Sequence, residues 1–160
     1  MSDFVFDTTP TSPADPAPEA VVTNDGWFTD IDPVAIRKDF RIREAVTPER
    51  LRGAIVRAIM TVNRQLTAFR AGHSAAGHSS LADVPAPEID GKSEFVQLYS
   101  AAIGAAAKVE LVERYRDIDL TGAGQRQVDE MDSAISELRR DMIHAVRDLL
   151  GEGRTVVELI

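Results

Sequence analysis

The sequence predicts an all-α fold: a bundle of three long helices and one short helix, with a disordered N-terminal arm and an extended C-terminal tail. Three observations point there. Apolar residues recur at spacings of three and four through most of the chain after residue 47. Alanine, leucine, arginine and glutamate dominate the second half, and these are strong helix formers. Twice, a capping residue stands directly before a proline, as at the start of a helix. With 160 residues, the chain suits one domain plus a tail and can bury a core that needs no covalent staple.

Residues 1–24 are expected to form a disordered acidic arm. Pro10, Pro13, Pro16 and Pro18 lie among Thr, Ser, Ala and Asp, and no period there could bury a face. The helical domain is expected over 25–153. It opens on Gly26-Trp27-Phe28-Thr29-Asp30-Ile31-Asp32-Pro33. The adjacent aromatics Trp27 and Phe28 read as a docking pair, seated either on their own domain or on a partner. Asp32 and Pro33 read as N-cap and first residue of a short helix to about Arg41 or Ile42.

Thr47-Pro48 repeats that signal for a long helix over about 48–71. Leu51, Ile55, Ala58, Val62, Leu66 and Phe69 trace one stripe along it, and Gly72 is its expected stop. Residues 72–89 read as a loop. A third helix is expected from near Asp90-Gly91 to about Tyr115, with Phe95, Leu98, Ala102, Ala105, Val109 and Val112 on one stripe. Tyr99, Ile103 and Ala106 widen it. Its Ala-rich middle, 101–107, permits close helix approach, which makes it the central helix. Thr121-Gly122-Ala123-Gly124 is a turn. The fourth helix, about 125–150, carries Val128, Met131, Ile135, Leu138, Met142, Ala145 and Leu149, and Gly151 ends it. Residues 154–160 are β-branched and extended. Alone they have nothing to pair with, so Val156, Val157, Leu159 and Ile160 are candidate contacts to a partner.

Several function classes are excluded or weakened. There are no cysteines, which removes disulfides and thiolate chemistry. The longest uninterrupted apolar run, 101–107, falls short of the ~20 residues of a membrane span, so no membrane contact is expected. The first residues lack the basic and apolar regions of a signal peptide, so synthesis and residence in the cytosol are expected. Asp30-x-Asp32 lacks the glycine and distal glutamate of a calcium loop. His73 and His78 lie in a Gly/Ser loop where nothing fixes them. Gly122-Ala123-Gly124 has neither a preceding strand nor a following lysine, so it is no phosphate loop. No nucleophile stands with a base, and the carboxylates fall mainly at helix ends and on exposed faces. No enzyme, metal or cofactor is therefore expected. Glu113, Arg114, Arg116 and Asp117 are expected to pair locally or with Glu137, Arg139, Arg140 and Asp141.

The net charge of −8 is unevenly distributed. Residues 1–32 carry seven carboxylates and no Lys or Arg. Residues 33–70 carry nine basic side chains against three acidic ones, and the remainder nine against sixteen. Such asymmetry bears on partners rather than on fold. Arg50, Arg57 and Arg64, seven apart, align on one side of the second helix, roughly 120° from its apolar stripe. They are a solvated face, a contact for a neighbour's acidic surface, or a contact for DNA phosphates. No base-reading motif accompanies them, so sequence-specific DNA binding is not expected. A small helical nucleic-acid-binding or regulatory module using this stripe is the alternative functional reading.

The string Trp27-Phe28-Thr29-Asp30-Ile31-Asp32-Pro33 resembles the aromatic-plus-Asp-Ile-Asp-Pro entry of the phage head completion/stabilization (GPL) family of contractile-tailed, peduovirus-type bacteriophages. Further strings resemble that family in the same order: Val46 and Arg50-Leu51-Arg52-Gly53-Ala54-Ile55 with Asn63 and Leu66, Leu81 to Ala86, Ile89-Asp90-Gly91-Lys92-Ser93, Glu113 to Asp117 with Asp119, and Asp132 to Met142. The likeness spans about 27–160. It implies a non-enzymatic structural protein of the virion neck, made in the host bacterial cytoplasm. Such a protein would join the portal vertex after DNA packaging, form a ring-shaped homo-oligomer there, retain the DNA and offer the platform for the tail. The implied partners are the portal protein, a tail-terminator or tail completion protein, and packaged DNA near the channel without sequence specificity. Candidate interface residues are Trp27, Phe28, Arg50, Arg57, Arg64, Val156, Val157, Leu159 and Ile160.

Overall fold

The computed structural model describes residues 19–119 and 125–152, with side chains described outside 115–119 and 125–133. The described chain is mostly helical. In order come α1 (Pro33–Asp39), α2 (Pro48–Gln65), α3 (Thr67–Ala75), a 3₁₀ turn (Leu81–Asp83), β1 (Glu88–Ile89), β2 (Lys92–Ser93), α4 (Glu94–Asp119) and α5 (Gln125–Leu149).

The expected caps form. The Asp32 side chain accepts from the Val34 amide and the Thr47 hydroxyl from that of Arg50, each before a proline in the first turn. Glu49, in the first turn of α2, has its carboxyl held below the usual range by its own backbone amide and then by Thr47.

The long helix expected over 48–71 is two helices. Its periodicity runs on unbroken, but the backbone turns at Leu66 and restarts as α3. The Thr67 hydroxyl donates to the Asn63 and Arg64 carbonyls at 3.2 and 2.9 Å, taking acceptors from the helical ladder at the bend. Leu66 itself is fully buried. Gly72 is not the stop: it lies inside α3. Gly77, with φ of +96°, terminates the helix, and the His78 amide reaches back to the His73 carbonyl at 3.1 Å. That closing bond needs a left-handed residue, which glycine supplies without strain.

The third helix does not begin at Asp90-Gly91. Those residues have φ of +53° and +69° and turn a two-residue antiparallel hairpin, pairing Glu88 with Ser93 and Ile89 with Lys92. An Asp-Gly pair is the preferred sequence for that turn. α4 starts just after it, at Glu94.

α4 is the central helix. It packs on α2 and on α5. Ala102, Ala105 and Val109 are buried as the stripe predicts; so are Tyr99, Ile103, Ala107 and Leu111, at spacings of four. Burial on two sides explains its composition. By length and composition Glu94–Arg114 is apolar enough to cross a membrane, contrary to the expectation that no segment is; the side chains that this helix buries in the core supply part of that apolarity. α4 is about 39 Å long, and the five residues to α5 span at most about 18 Å. Since the two helices pack extensively, α5 must run antiparallel to α4. Glu113 pairs with Arg139 across them, Arg114 pairs locally with Glu110 at 3.0 Å, and Arg140 lies 3.9 Å from Asp141. Among the described side chains of α5, Ile135, Ala145, Val146 and Leu149 are buried. Gly151, at φ of +68°, ends it as expected.

The N-terminal boundary moves. Residues 19–24, expected within the arm, pack on the domain: Val22 is 2% exposed and exchanges backbone hydrogen bonds with Ile31 at 2.8 and 3.0 Å. Arg52 donates to the Ala20 carbonyl at 3.0 Å, and Arg37 pairs with Glu19. Residues 19–31 thus form a strap laid along α2. The arm over 1–18 and the tail over 154–160 lie outside the described residues.

Candidate functional site

The strap is built around a turn. Asp25 Oδ1 accepts from the amides of Trp27 and Phe28, both at 3.0 Å, and Asp25 Oδ2 meets Arg70 Nη1 at 2.5 Å. Gly26, at φ of +84°, lets the chain reverse. The reversal throws both aromatic rings inward. Trp27 and Phe28 are 5% and 3% exposed, so as candidate interface residues they are corrected: they dock on their own domain and offer no surface to a neighbour. The rings meet edge to face at 4.8 Å, and Phe28 stacks on Tyr99 of α4 at 5.0 Å. Phe69 of α3 lies edge-on to Trp27 and to Phe95. Trp27 Nε1 donates to the His78 carbonyl at 3.2 Å, and its own carbonyl accepts from the Leu81 amide at 2.8 Å. One residue therefore ties the strap to the segment after α3.

Three polar side chains close this seam, and the sequence reading missed their relation. The Tyr99 hydroxyl donates to Asn63 Oδ1 at 2.6 Å, Asn63 Nδ2 donates to Asn24 Oδ1 at 3.0 Å, and Asn24 Nδ2 donates to the Tyr99 oxygen at 2.7 Å. The ring joins the strap, α2 and α4. Burial, with a smaller contribution from the Asp25 charge, pushes the Tyr99 phenol above its ordinary range. Asn24-Asp25-Gly26 is a legible turn signal, but no spacing links residues 24, 63 and 99.

On the opposite side of α2, Arg50, Arg57 and Arg64 are all exposed, as the helical period requires. They are not equivalent. Arg57 crosses to Glu110 of α4, and Glu110 also takes Arg114. The middle of the stripe is thus an intramolecular pair at the α2–α4 border. Val156, Val157, Leu159 and Ile160 lie outside the described residues.

A basic corner not singled out from sequence lies where α1 ends. Arg41 holds φ of +48°, and the Ile42 amide returns to the Arg37 carbonyl at 2.9 Å. Lys108 of α4 caps this end, donating to the Phe40 carbonyl at 2.6 Å. Burial, then the nearby Arg41 charge, lowers the Lys108 ammonium below its usual range.

The carboxylates of Asp30-x-Asp32, where no metal site was expected, are engaged within the chain: Asp30 accepts from the Asn24 amide at 2.8 Å and Asp32 caps α1. His73 packs on Phe69 at 4.4 Å, with His78 5.7 Å away. Among the described residues no three metal-capable side chains converge.

Comparison with known proteins gives one consistent picture. The family profile described as phage head completion protein (GPL) matches residues 22–160, starting at the first buried strap residue. The head completion/stabilization protein of Escherichia phage P2 is 42% identical over 142 residues, covering 89% of this chain and 84% of that protein. The probable head completion/stabilization protein of Haemophilus phage HP1 (strain HP1c1) is 27% identical over 142 residues, covering 89% and 93%. No solved structure matches.

Proposed function

The chain belongs to the phage head completion protein (GPL) family, and on that premise we propose that it completes the DNA-filled head by forming a ring on the portal, in the virion neck. There it retains the DNA and presents the attachment platform to a tail-terminator or tail completion protein. The observation that carries the coarse reading, a structural protein of the phage head, is the family match along 22–160 together with 42% identity to the phage P2 protein.

The physical requirements of a ring support the finer reading. A wall around a channel needs a rigid unit, and α2 and α5 each pack on the central α4 over a buried apolar core. It also needs chain that orders against neighbours. The acidic, proline-broken residues 1–18 and the apolar tail 154–160 have the composition for that. With Trp27 and Phe28 turned inward, the proposed contacts to neighbour or portal are the exposed Arg50–Arg57–Arg64 side and the tail residues Val156, Val157, Leu159 and Ile160. Acidic surface on one copy would meet the arginines of the next. Electron microscopy of the protein mixed with a purified portal tests this directly. Ring density seated on the portal is expected. Portals without added density, under conditions where the protein is folded, would contradict it.

A further inference from the structure

Four cations gather at the corner formed by the end of α1, the connection to α2 and Lys108 of α4. Lys38, Arg41 and Arg43 are exposed there, and Lys108 reaches the same turn by donating to the Phe40 carbonyl. Among the described residues no carboxylate comes within salt-bridge distance of these four cations, although Asp39 and Glu44 are near in sequence. The closeness of Arg41 to the partly buried Lys108 opposes the charge on the lysine. An anion placed there would relieve that repulsion.

We propose that the acidic segment 1–18 of the same chain docks on this corner in the free subunit. The point where the segment enters the described domain argues for it. Glu19 pairs with Arg37, and the same guanidinium donates to the Arg43 carbonyl and the Val46 carbonyl, each at 3.0 Å. The chain therefore meets the domain at the corner itself. Asp15 stands four residues before Glu19, within about 14 Å of chain, and Asp7 and Asp3 follow further out. Residues 1–18 carry three carboxylates and no Lys or Arg, so their side-chain charge is opposite in sign to the corner. The tether raises its local concentration over that of any free polyanion. DNA phosphates share the chemistry, but the chain's net charge of −8 opposes their approach. The inference concerns the free subunit and does not depend on a ring.

The absence of cysteine makes the test direct. Ser12→Cys in the full-length protein carries a single nitroxide label, and paramagnetic broadening of backbone amides maps where the segment lies. Broadening is expected at 38–43 and around 108, weakening as salt is raised and lost in Lys38→Glu/Arg41→Glu/Arg43→Glu. Asp3→Asn/Asp7→Asn/Asp15→Asn is the second variant, which leaves the domain untouched and should lose the broadening equally. Four results overturn the proposal: no broadening at the corner, broadening indifferent to both variants, broadening centred instead on Arg50, Arg57 and Arg64, or broadening seen only between separate labelled and unlabelled molecules. A full-length protein that binds a short DNA duplex at the corner with the segment's broadening undisturbed would also overturn it.

Discussion

Two faces of α2 look alike in sequence as invitations to a partner, and they end in opposite places. On one side, the strap carries Trp27 and Phe28 into a seam with α3 and α4, where the rings stack and the polar groups of Asn24, Asn63 and Tyr99 satisfy one another. On the other side, Arg50, Arg57 and Arg64 stay in solvent, with Arg57 pinned to Glu110. The difference is one of alternatives. A bare Trp-Phe pair loses the full hydrophobic contribution if it waits for a neighbour, whereas an arginine stripe remains solvated at no cost until one arrives. The seam therefore belongs to folding, and the stripe is the surface we propose for assembly.

The sharpest way to break that division is Trp27→Ala or Phe28→Ala. Truncating either buried ring should cost about 3–5 kcal/mol of stability, read as a lowered thermal midpoint. Normal stability with impaired incorporation into heads would return these rings to the interface. Gly104→Ala comes next. In a helix interior the change ordinarily gains about 1 kcal/mol, but here the new methyl would overlap the Phe40 ring. A net loss of about 1–3 kcal/mol is expected, and a gain in the denaturant midpoint would show that α1 does not press on α4.

Tyr99→Phe keeps the stacking and removes the hydroxyl, leaving Asn24 and Asn63 each one partner short. About 1–3 kcal/mol should be lost. The native phenol is raised above its usual value of 10.0. Its contribution is therefore complete below the unfolded pKa and is lost as the pH rises above it towards the folded one. The wild type should weaken across that alkaline range more steeply than the phenylalanine variant. Parallel pH profiles for the two would place Tyr99 outside the effect. The smallest effect on stability is expected from Arg50→Glu/Arg57→Glu/Arg64→Glu, about 1 kcal/mol or less. Helicity should persist while binding to the portal fails. Unimpaired complexes would leave the stripe as a solvated face.

What was legible in the sequence was local. Asp32-Pro33, Thr47-Pro48 and Gly151 mark helix ends by chemistry that acts within one turn, and all three act as read. The centrality of α4 followed from its small residues. The errors arose where a local signal was ambiguous or a distant partner decided. The apolar period runs straight through Leu66, so the bend that Thr67 supports leaves no trace in it. Asp90-Gly91 fits a hairpin turn as well as a helix entry, and only the pairing of Glu88 with Ser93 settles it. The inward turn of Trp27 and Phe28 depends on Tyr99, Phe69 and Leu81, all far along the chain. The basic corner depends on Lys108 arriving beside Arg41, which no spacing announces.

We propose that this protein completes a head that is already filled, and infection tests that step directly. A phage unable to make it should be followed through infection, with its particles counted by electron microscopy as empty, filled without tails, or filled with tails. Capsids that package DNA and then lose it or fail to join tails are the expected result. Heads that never fill would place the protein at an earlier step, and normal infectious virions would contradict the account outright.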